Sequence, residues 1–226
     1  MATSGSIDFN MTARQIVEYA LKKINVVPRF DDVDADNMTH AIAELNVMLK
    51  GWQLQGPNLW RQTEGSVTIT SATQSYTLSP RPYRLTHARF KDGTREIPMI
   101  PLTRQDYFEL PVKSAVGTPT QYYFDPQRAA GTLYVWPVIT TAASETIEYT
   151  YQRLFEDVDD ASNDLDIPPE YFDVIGYNLA ARLADDAGRS DAVANRVIQR
   201  ADILMQMAMD EDREDVFLMQ PDPQYA

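Results

Sequence analysis

The chain of 226 residues contains no cysteine, only 2 histidines and 9 glycines. The absence of cysteine excludes disulfide bonds, thiolate metal sites and cysteine nucleophiles. The glycines are scattered among turns and helix ends, so there is no glycine-rich loop to bind a phosphate. No apolar run approaches the roughly 18 to 20 residues of a membrane helix, and the first residues lack the pattern of a signal peptide. We therefore expect neither secretion nor membrane insertion.

Acidic residues are concentrated in the last third of the chain. Residues 154–226 contain 18 Asp and Glu and 5 Arg, whereas residues 1–153 hold 15 acidic and 15 basic side chains. The whole net charge of −13 therefore belongs to the last third. A surface of this sign repels phosphate, which argues against a protein that grips the nucleic-acid backbone but not against a wall that DNA slides past.

The clearest element is the segment from Asp36 to Gly56, whose apolar residues recur at spacings of three and four. This spacing predicts an amphipathic helix of roughly 30 Å, with one face covered by other helices. The stripe consists of Met38, Ala41, Ile42, Leu45, Met48, Leu49 and Trp52. Asp34 and Asp36 are candidate N-caps, and Gly56 followed by Pro57 is a stop signal.

Three further segments show helical periodicity. Residues 12–25 begin with a capping box formed by Thr12 and Gln15. Residues 171–184 are apolar around most of the helix, which predicts a buried element that ends at Gly188. Ser190 then caps a fourth helix, whose stripe runs from Val193 to Ala208 before the acidic run 210–215.

Between these two helical regions the apolar period changes from near four to two, which predicts β-strands. The strand-like runs are 66–71, 76–78, 84–91, 94–100, 121–124, 132–136 and 145–152. Asp92-Gly93 separates two of them and is a strong hairpin signal, because both residues tolerate a positive φ. A short helix over 103–109 is expected after a cap at Thr103.

The order of these segments predicts an α+β fold, in which an antiparallel β subdomain is inserted into a four-helix bundle. Two N-terminal and two C-terminal helices form this bundle. The expected domains are residues 1–59 with 166–215 for the bundle, 60–165 for the β-rich insertion, and 216–226 for a C-terminal tail.

Few residues suggest chemistry. His40 and His87 have no partner at metal-site spacing, and a structural or solvent-facing role is the simpler interpretation for both. The acidic loop 156–166 invites a calcium hypothesis, but against the EF-hand pattern Ser162 replaces the required glycine and Pro168 the bidentate glutamate. A solvated linker is the preferred interpretation.

Five aromatic residues in the β region could stack against bases or sugars: Tyr122, Tyr123, Phe124, Tyr134 and Trp136. Strand alternation places Tyr122 and Phe124 on one face and Tyr123 on the other. At least half of the set is therefore expected in a core, and the ligand hypothesis is the less favoured one.

The tail contains the one apolar group that the helical pattern does not use, Val216, Phe217, Leu218 and Met219, followed by prolines and Tyr225. Two interpretations stay open. The group folds back on its own bundle, or it docks into a groove of another subunit from a flexible acidic tether.

Three stretches resemble the head-to-tail adaptor proteins of tailed bacteriophages. They are ARQIVEYALKKINVV from Ala13 to Val27, MTHAIAELNVMLKGWQLQG from Met38 to Gly56, and PPEYFDVIGYNLAARLADDAG from Pro168 to Gly188, together about a quarter of the chain. The resemblance implies a structural virion protein with no enzymatic activity and no cofactor.

The resemblance further implies a ring of twelve subunits beneath the portal ring, at the junction of head and tail. Such a ring assembles in the host cytoplasm, extends the DNA channel without specific DNA binding, and carries the tail or nozzle protein. The C-terminal residues Val216 to Met219 and Tyr225 would contact the portal protein. Two alternatives stay open, namely another tail-completion or tail-tube component and a glycan-binding or enzymatic β domain.

Overall fold

The computed structural model describes residues 4–28, 30–55, 59–93, 95–140 and 144–212. By their internal contacts, the residues divide into two compact units. Met1–Leu59 and Phe155–Ala226 form a helical unit, and Trp60–Leu154 form a β unit. The sequence analysis predicted that the β-rich insertion ends at residue 165, whereas the β unit ends at Leu154.

Five α-helices lie within the described residues: α1 Ala13–Lys23, α2 Ala35–Gln55, α3 Arg104–Glu109, α4 Phe172–Asp186 and α5 Asp191–Glu211. All five were predicted. The α3 helix belongs to the β unit, and the other four belong to the helical unit.

The helix ends follow the predicted signals. Thr12 and Gln15 form a reciprocal capping box at α1, and the Oδ1 atom of Asp34 accepts a 2.9 Å hydrogen bond from the backbone N–H of Asn37 at the start of α2. Gly188 ends α4 with a φ of +57°, a conformation that favours glycine. Ser190 stands at the N-cap of α5, but its side chain makes no capping hydrogen bond.

Helix α4 lies at the centre of the helical unit, and α1, α2 and α5 all pack against it. Eight of its residues are buried, as the nearly uniform apolar pattern predicted. In α2 the predicted stripe is buried except for the half-buried Ile42. These contacts place three helices around α4. They do not by themselves define the closed four-helix bundle that the sequence predicted.

Two four-stranded sheets form the β unit. The strands are β1 Gln62–Thr68, β2 Ser75–Leu78, β3 Arg84–Asp92, β4 Arg95–Pro98, β5 Ile100–Pro101, β6 Gln121–Pro126, β7 Gly131–Trp136 and β8 Thr146–Gln152. The first sheet has the order β1-β8-β3-β4, and the second has the order β2-β7-β6-β5. The predicted hairpin is confirmed, with Asp92 paired to Arg95 and Gly93 at a φ of +58°.

Two details of the β unit differ from the sequence-based prediction. Strand β5 pairs with β6 in parallel, whereas an antiparallel subdomain was predicted; the long connection through α3 permits this crossover. Strand β1 begins at Gln62 and ends at Thr68, although residues 66–71 were predicted. Pairing with β8 sets these bounds, since Gln62 lies opposite Gln152 and Thr68 opposite Thr146.

Both sheets contribute to one apolar core of the β unit, as in a β-sandwich. Phe90, Leu133 and Ile147 are at most 2% exposed. The full core cluster consists of Ile69, Tyr76, Leu78, Ala88, Phe90, Met99, Tyr122, Leu133, Val135 and Ile147.

Candidate interaction surfaces

The two histidines lie apart from any cluster of metal ligands. The Nε2 atom of His40 lies 3.1 Å from the Oδ2 atom of Asp186 and thereby links α2 to α4, while His87 is exposed on β3. Across the described ranges, no group of three or more His, Cys, Asp or Glu side chains could hold a metal ion. The structural interpretation fits His40, and the solvent-facing one fits His87.

The acidic loop is not the solvated linker that the sequence predicted. Phe155, Val158 and Leu165 are at most 7% exposed and belong to the core of the helical unit. The side chain of Asn46 on α2 binds Val158 twice, because its Nδ2 donates to the carbonyl oxygen at 2.8 Å and its Oδ1 accepts from the N–H at 2.9 Å. The loop is therefore anchored along α2.

A lysine pairs with one carboxylate of this loop. The Nζ atom of Lys50 lies 2.5 Å from the Oδ1 atom of Asp157 and donates to the carbonyl oxygen of Phe155 at 2.7 Å. A second carboxylate, Asp160, accepts hydrogen bonds from the side chain and backbone of Ser162, which lower its pKa. These protein donors weaken the calcium hypothesis further.

Four of the five candidate aromatic residues pack within the β unit. Tyr122 is 3% exposed in the sandwich core, with Phe124 packed against it. On the opposite face, Tyr107 of α3 covers Tyr123, with 5.4 Å between the ring centroids, and Tyr134, with 5.0 Å. The alternation predicted from the sequence is confirmed, because one set fills the core and the other binds α3.

A cluster on α1 and α4 was missed by the sequence analysis. The hydroxyl of Tyr19 donates a 2.5 Å hydrogen bond to the Oδ1 atom of Asp173, and the Nζ atom of Lys23 lies 4.4 Å from the Tyr19 ring centroid. A Cβ atom at Gly176 would lie 2.4 Å from the Tyr19 ring. The pKa of Tyr19 is raised, mainly because the side chain is buried and secondly because of the hydrogen bond to Asp173. The only sequence signal was a glycine inside a helix.

Charged side chains on the outer face of the first sheet are paired with one another. Glu148 on β8 accepts hydrogen bonds from the Nζ atom of Lys91 at 2.8 Å and the Nε atom of Arg89 at 2.9 Å. Both hydrogen bonds lower the pKa of Glu148, and the one from Lys91 has the larger effect. Arg89 and Glu148 line a cavity of about 700 Å³ together with His87 and Tyr149. The charges that face this cavity are thus largely satisfied.

The helical unit exposes apolar side chains on two helices. On α2, Val47 is 58% exposed and Leu54 is 72% exposed, on the face opposite to the buried stripe. On α5, Ile203 is 54% exposed and Met207 is 62% exposed. The sequence analysis did not single out these four residues, although the i,i+7 spacing of Val47 and Leu54 was a signal for a second apolar face.

The predicted docking residues Val216, Phe217, Leu218, Met219 and Tyr225 lie outside the described residues. Among the helices in the described part of the chain, none is long and apolar enough to cross a membrane.

The model of a protein family described as SU10 adaptor protein matches residues 11–222, nearly the whole chain. The chain belongs to this adaptor family. The resemblance to phage head-to-tail adaptors is thereby confirmed, and the protein has a structural adaptor role in a phage-type particle. This family assignment indicates a structural protein rather than an enzyme.

No curated protein matches the chain significantly. Among solved structures, a chain described as "Neck of empty GTA particle computed with C6 symmetry" is similar at 14% sequence identity. The match covers 76% of this adaptor and 81% of that chain, with a TM-score of 0.28.

Proposed function

We propose that this adaptor binds beneath the portal ring at the head-to-tail junction, extends the DNA channel and provides the platform on which the tail or nozzle assembles. The observation that carries the proposal is the adaptor-family match over residues 11–222. In this proposal twelve copies form the ring, which assembles in the host cytoplasm and remains in the virion.

The helical residues 1–59 and 166–215 build the ring in this proposal. A ring with rotational symmetry needs two different complementary surfaces on each subunit, because its contacts run head to tail. The helical unit offers two separate apolar surfaces, Val47 with Leu54 on α2 and Ile203 with Met207 on α5. Exposed apolar residues grouped in this way are typical of interaction sites.

The charge distribution supports a channel through which DNA moves freely. The helical unit holds 25 acidic and 10 basic residues, a net charge of −15, and the β unit holds 8 acidic and 10 basic residues, a net charge of +2. Acidic walls repel the phosphate backbone and so leave the genome unbound.

The decisive experiment is the solution mass of the protein, measured by light scattering alone and after mixing with the portal protein. We expect a monomer that becomes a ring on the portal. The double variant V47D/L54D should stay folded but fail to form the ring, since both side chains are exposed. The control I100D, which changes a residue 61% exposed in the β unit, should assemble normally.

The C-terminal residues 216–226 dock onto the portal in this proposal, through Val216 to Met219 and Tyr225. A chain that lacks these residues should keep its circular dichroism spectrum and melting temperature but bind portal rings more weakly. Decoration of portal rings at unchanged stoichiometry would show that the docking assignment is wrong.

Two other functions give different results in the same measurements. A tail-completion or tail-tube component forms stable rings or tubes without the portal. A glycan-binding β domain has one structural argument, the cavity of about 700 Å³ beside Arg89 and Glu148. It predicts a rise in melting temperature with a glycan panel and no binding to the portal.

A further inference from the structure

Strand β1 lies at the edge of the first sheet, because the strand order is β1-β8-β3-β4. It pairs with β8 over its whole length without a register shift. Beyond one end of β1, the N–H of Ile69 donates to the carbonyl oxygen of Glu145 at 3.0 Å. Beyond the other end, the N–H of Arg153 donates to the carbonyl oxygen of Arg61 at 2.9 Å. These two bonds fix which residues of β1 direct their main chain toward β8.

Alternate residues of an antiparallel strand direct their N–H and C=O groups to opposite sides. Since Arg61 and Ile69 bond toward β8, Glu64, Ser66 and Thr68 direct their main-chain groups away from the sheet. All three residues are exposed, and their main chain makes no hydrogen bond to any other residue that the structure describes. Three N–H and three C=O groups therefore line this edge, in the pattern with which another extended chain pairs.

The other three sheet edges are less open. Strands β2 and β4 have four residues each and β5 has two, and prolines end two of them, Pro98 in β4 and Pro101 in β5. Short edge strands and prolines prevent pairing with other chains. The seven residues of β1 include neither proline nor lysine. Within the described part of the β unit, β1 is therefore the edge best suited to receive a further strand.

The two faces of this edge define the chemistry of the partner. On the inner face, the half-buried Val67 and Tyr149 pack against the sandwich core. The Tyr149 ring covers Gly65, where a Cβ atom would lie 2.7 Å from it. On the outer face, the side chain of Glu64 is 74% exposed and lies 3.9 Å from Arg89. The fitting partner is an extended segment with apolar side chains beside Val67 and Tyr149, alternating with polar ones that include a basic residue beside Glu64.

A second copy of this chain fits this edge less well than a different protein. Pairing of β1 with the β1 strand of another copy creates a two-fold axis, which neighbouring subunits of a ring with rotational symmetry do not share. In the proposed function, the apolar faces of α2 and α5 form the ring and the C-terminal residues bind the portal. We infer that β1 is the attachment site for the tail or nozzle protein, which adds an extended segment to the first sheet. This inference rests on the proposed function and names the surface that carries the tail.

The first test is hydrogen exchange of the full chain, measured by mass spectrometry in three states. The states are the free protein, the protein on portal rings, and the same rings after addition of the tail or nozzle protein. The N–H groups of Glu64, Ser66 and Thr68 should exchange at least about tenfold more slowly in the third state only, because they are then paired. Absence of protection in the third state would overturn the inference. Protection on portal rings alone would also overturn it, since the edge would then belong to the portal or to a neighbouring copy.

The second test is the variant Ser66→Pro, which removes one of the outward N–H groups. This N–H makes no bond to β8, so the ladder between β1 and β8 is kept, and proline is tolerated at such edge positions. Circular dichroism and the melting temperature check the fold. We expect the variant to join portal rings normally but to bind the tail or nozzle protein at least about tenfold more weakly.

The matched control is Ser66→Ala, which keeps the N–H group and should bind the tail or nozzle protein like the unchanged chain. Undiminished binding by folded Ser66→Pro would overturn the inference and leave the proposed function intact. If Ser66→Pro does not fold, the exchange rates of the unchanged chain decide. Failure of the unchanged chain to join portal rings would instead overturn the proposed function.

Discussion

The helical unit and the β unit of this adaptor differ in how their charges are balanced. In the β unit, Glu148 is paired with Lys91 and Arg89, and α3 covers the outer tyrosines through Tyr107. In the helical unit, α2 leaves Val47 and Leu54 uncovered, and the net charge is −15. The β unit therefore balances its charges internally, although Ile100 and Phe108 are exposed there too, whereas the helical unit keeps a large net negative charge and an exposed apolar face on α2.

Within the helical unit, the face of α2 that is buried and the face that would serve assembly in the proposed ring are separate. Helix α2 buries Trp52 and, two residues later, exposes Leu54. Substitutions on the two faces should therefore separate folding from assembly. The predictions below test this separation and the contrast between the units.

The largest effect is expected at the buried face of α2. Trp52 is 8% exposed, and Trp52→Ala should lower the free energy of unfolding by about 3 to 5 kcal/mol, because a large buried aromatic is lost. The matched change Leu54→Ala should stay within about 0.5 kcal/mol in the monomer. Urea unfolding measures both. Equal losses at the two sites would contradict the separation of faces.

The next largest effect on stability is expected from substitutions at two glycines within helices. A Cβ atom at Gly176 would meet the Tyr19 ring, so Gly176→Ala should cost about 1 to 3 kcal/mol through overpacking between α1 and α4. Gly51 on α2 has no other atom within 4 Å of the Cβ position, and Gly51→Ala should stabilise by about 0.5 to 1 kcal/mol through helix propensity. The melting temperatures of the two variants should therefore shift in opposite directions. A shift in the same direction would contradict the close packing of Gly176 against Tyr19.

The anchored acidic loop predicts a loss of similar size. Asn46→Ala removes both partners of the buried Val158 backbone and should cost about 1 to 3 kcal/mol. Lys50→Ala, on the same helix, breaks a largely exposed ion pair and should cost at most about 1 kcal/mol. Urea unfolding with and without calcium checks both points, and stabilisation by calcium would revive the metal hypothesis.

Predictions from the sequence succeeded where the interacting residues are close together in the chain and failed where they are far apart. The boundaries and buried stripe of α2 were predictable because capping by Asp34 and the apolar period are local. The acidic loop was misjudged because its charges dominate the local pattern, while Asn46, its anchor, lies 112 residues earlier. The Tyr19 contact with Gly176 and the parallel pair of β5 and β6 also depend on distant partners.

The same rule applies to the functional surfaces. Sequence similarity identified the adaptor family, because three stretches keep a recognisable pattern. The outward apolar face of α2 was overlooked because a helix with apolar residues on two faces shows one dominant stripe.

The smallest predicted effect concerns the charge network of the β unit at acid pH. The hydrogen bonds from Lys91 and Arg89 hold the pKa of Glu148 below its usual value. The stabilising contribution is therefore complete above the unfolded-state pKa of about 4.3 and is lost as the pH falls through the lower folded-state pKa. Glu148→Gln should remove this contribution, so that its stability deficit is largest near neutral pH and shrinks on acidification. Melting temperatures measured between pH 7 and pH 3 give the comparison, with Glu109→Gln, on the exposed α3 helix, as the control. A deficit that is independent of pH would mean that Glu148 acts through packing rather than charge, and the β unit would then lack the electrostatic self-sufficiency that distinguishes it from the helical unit.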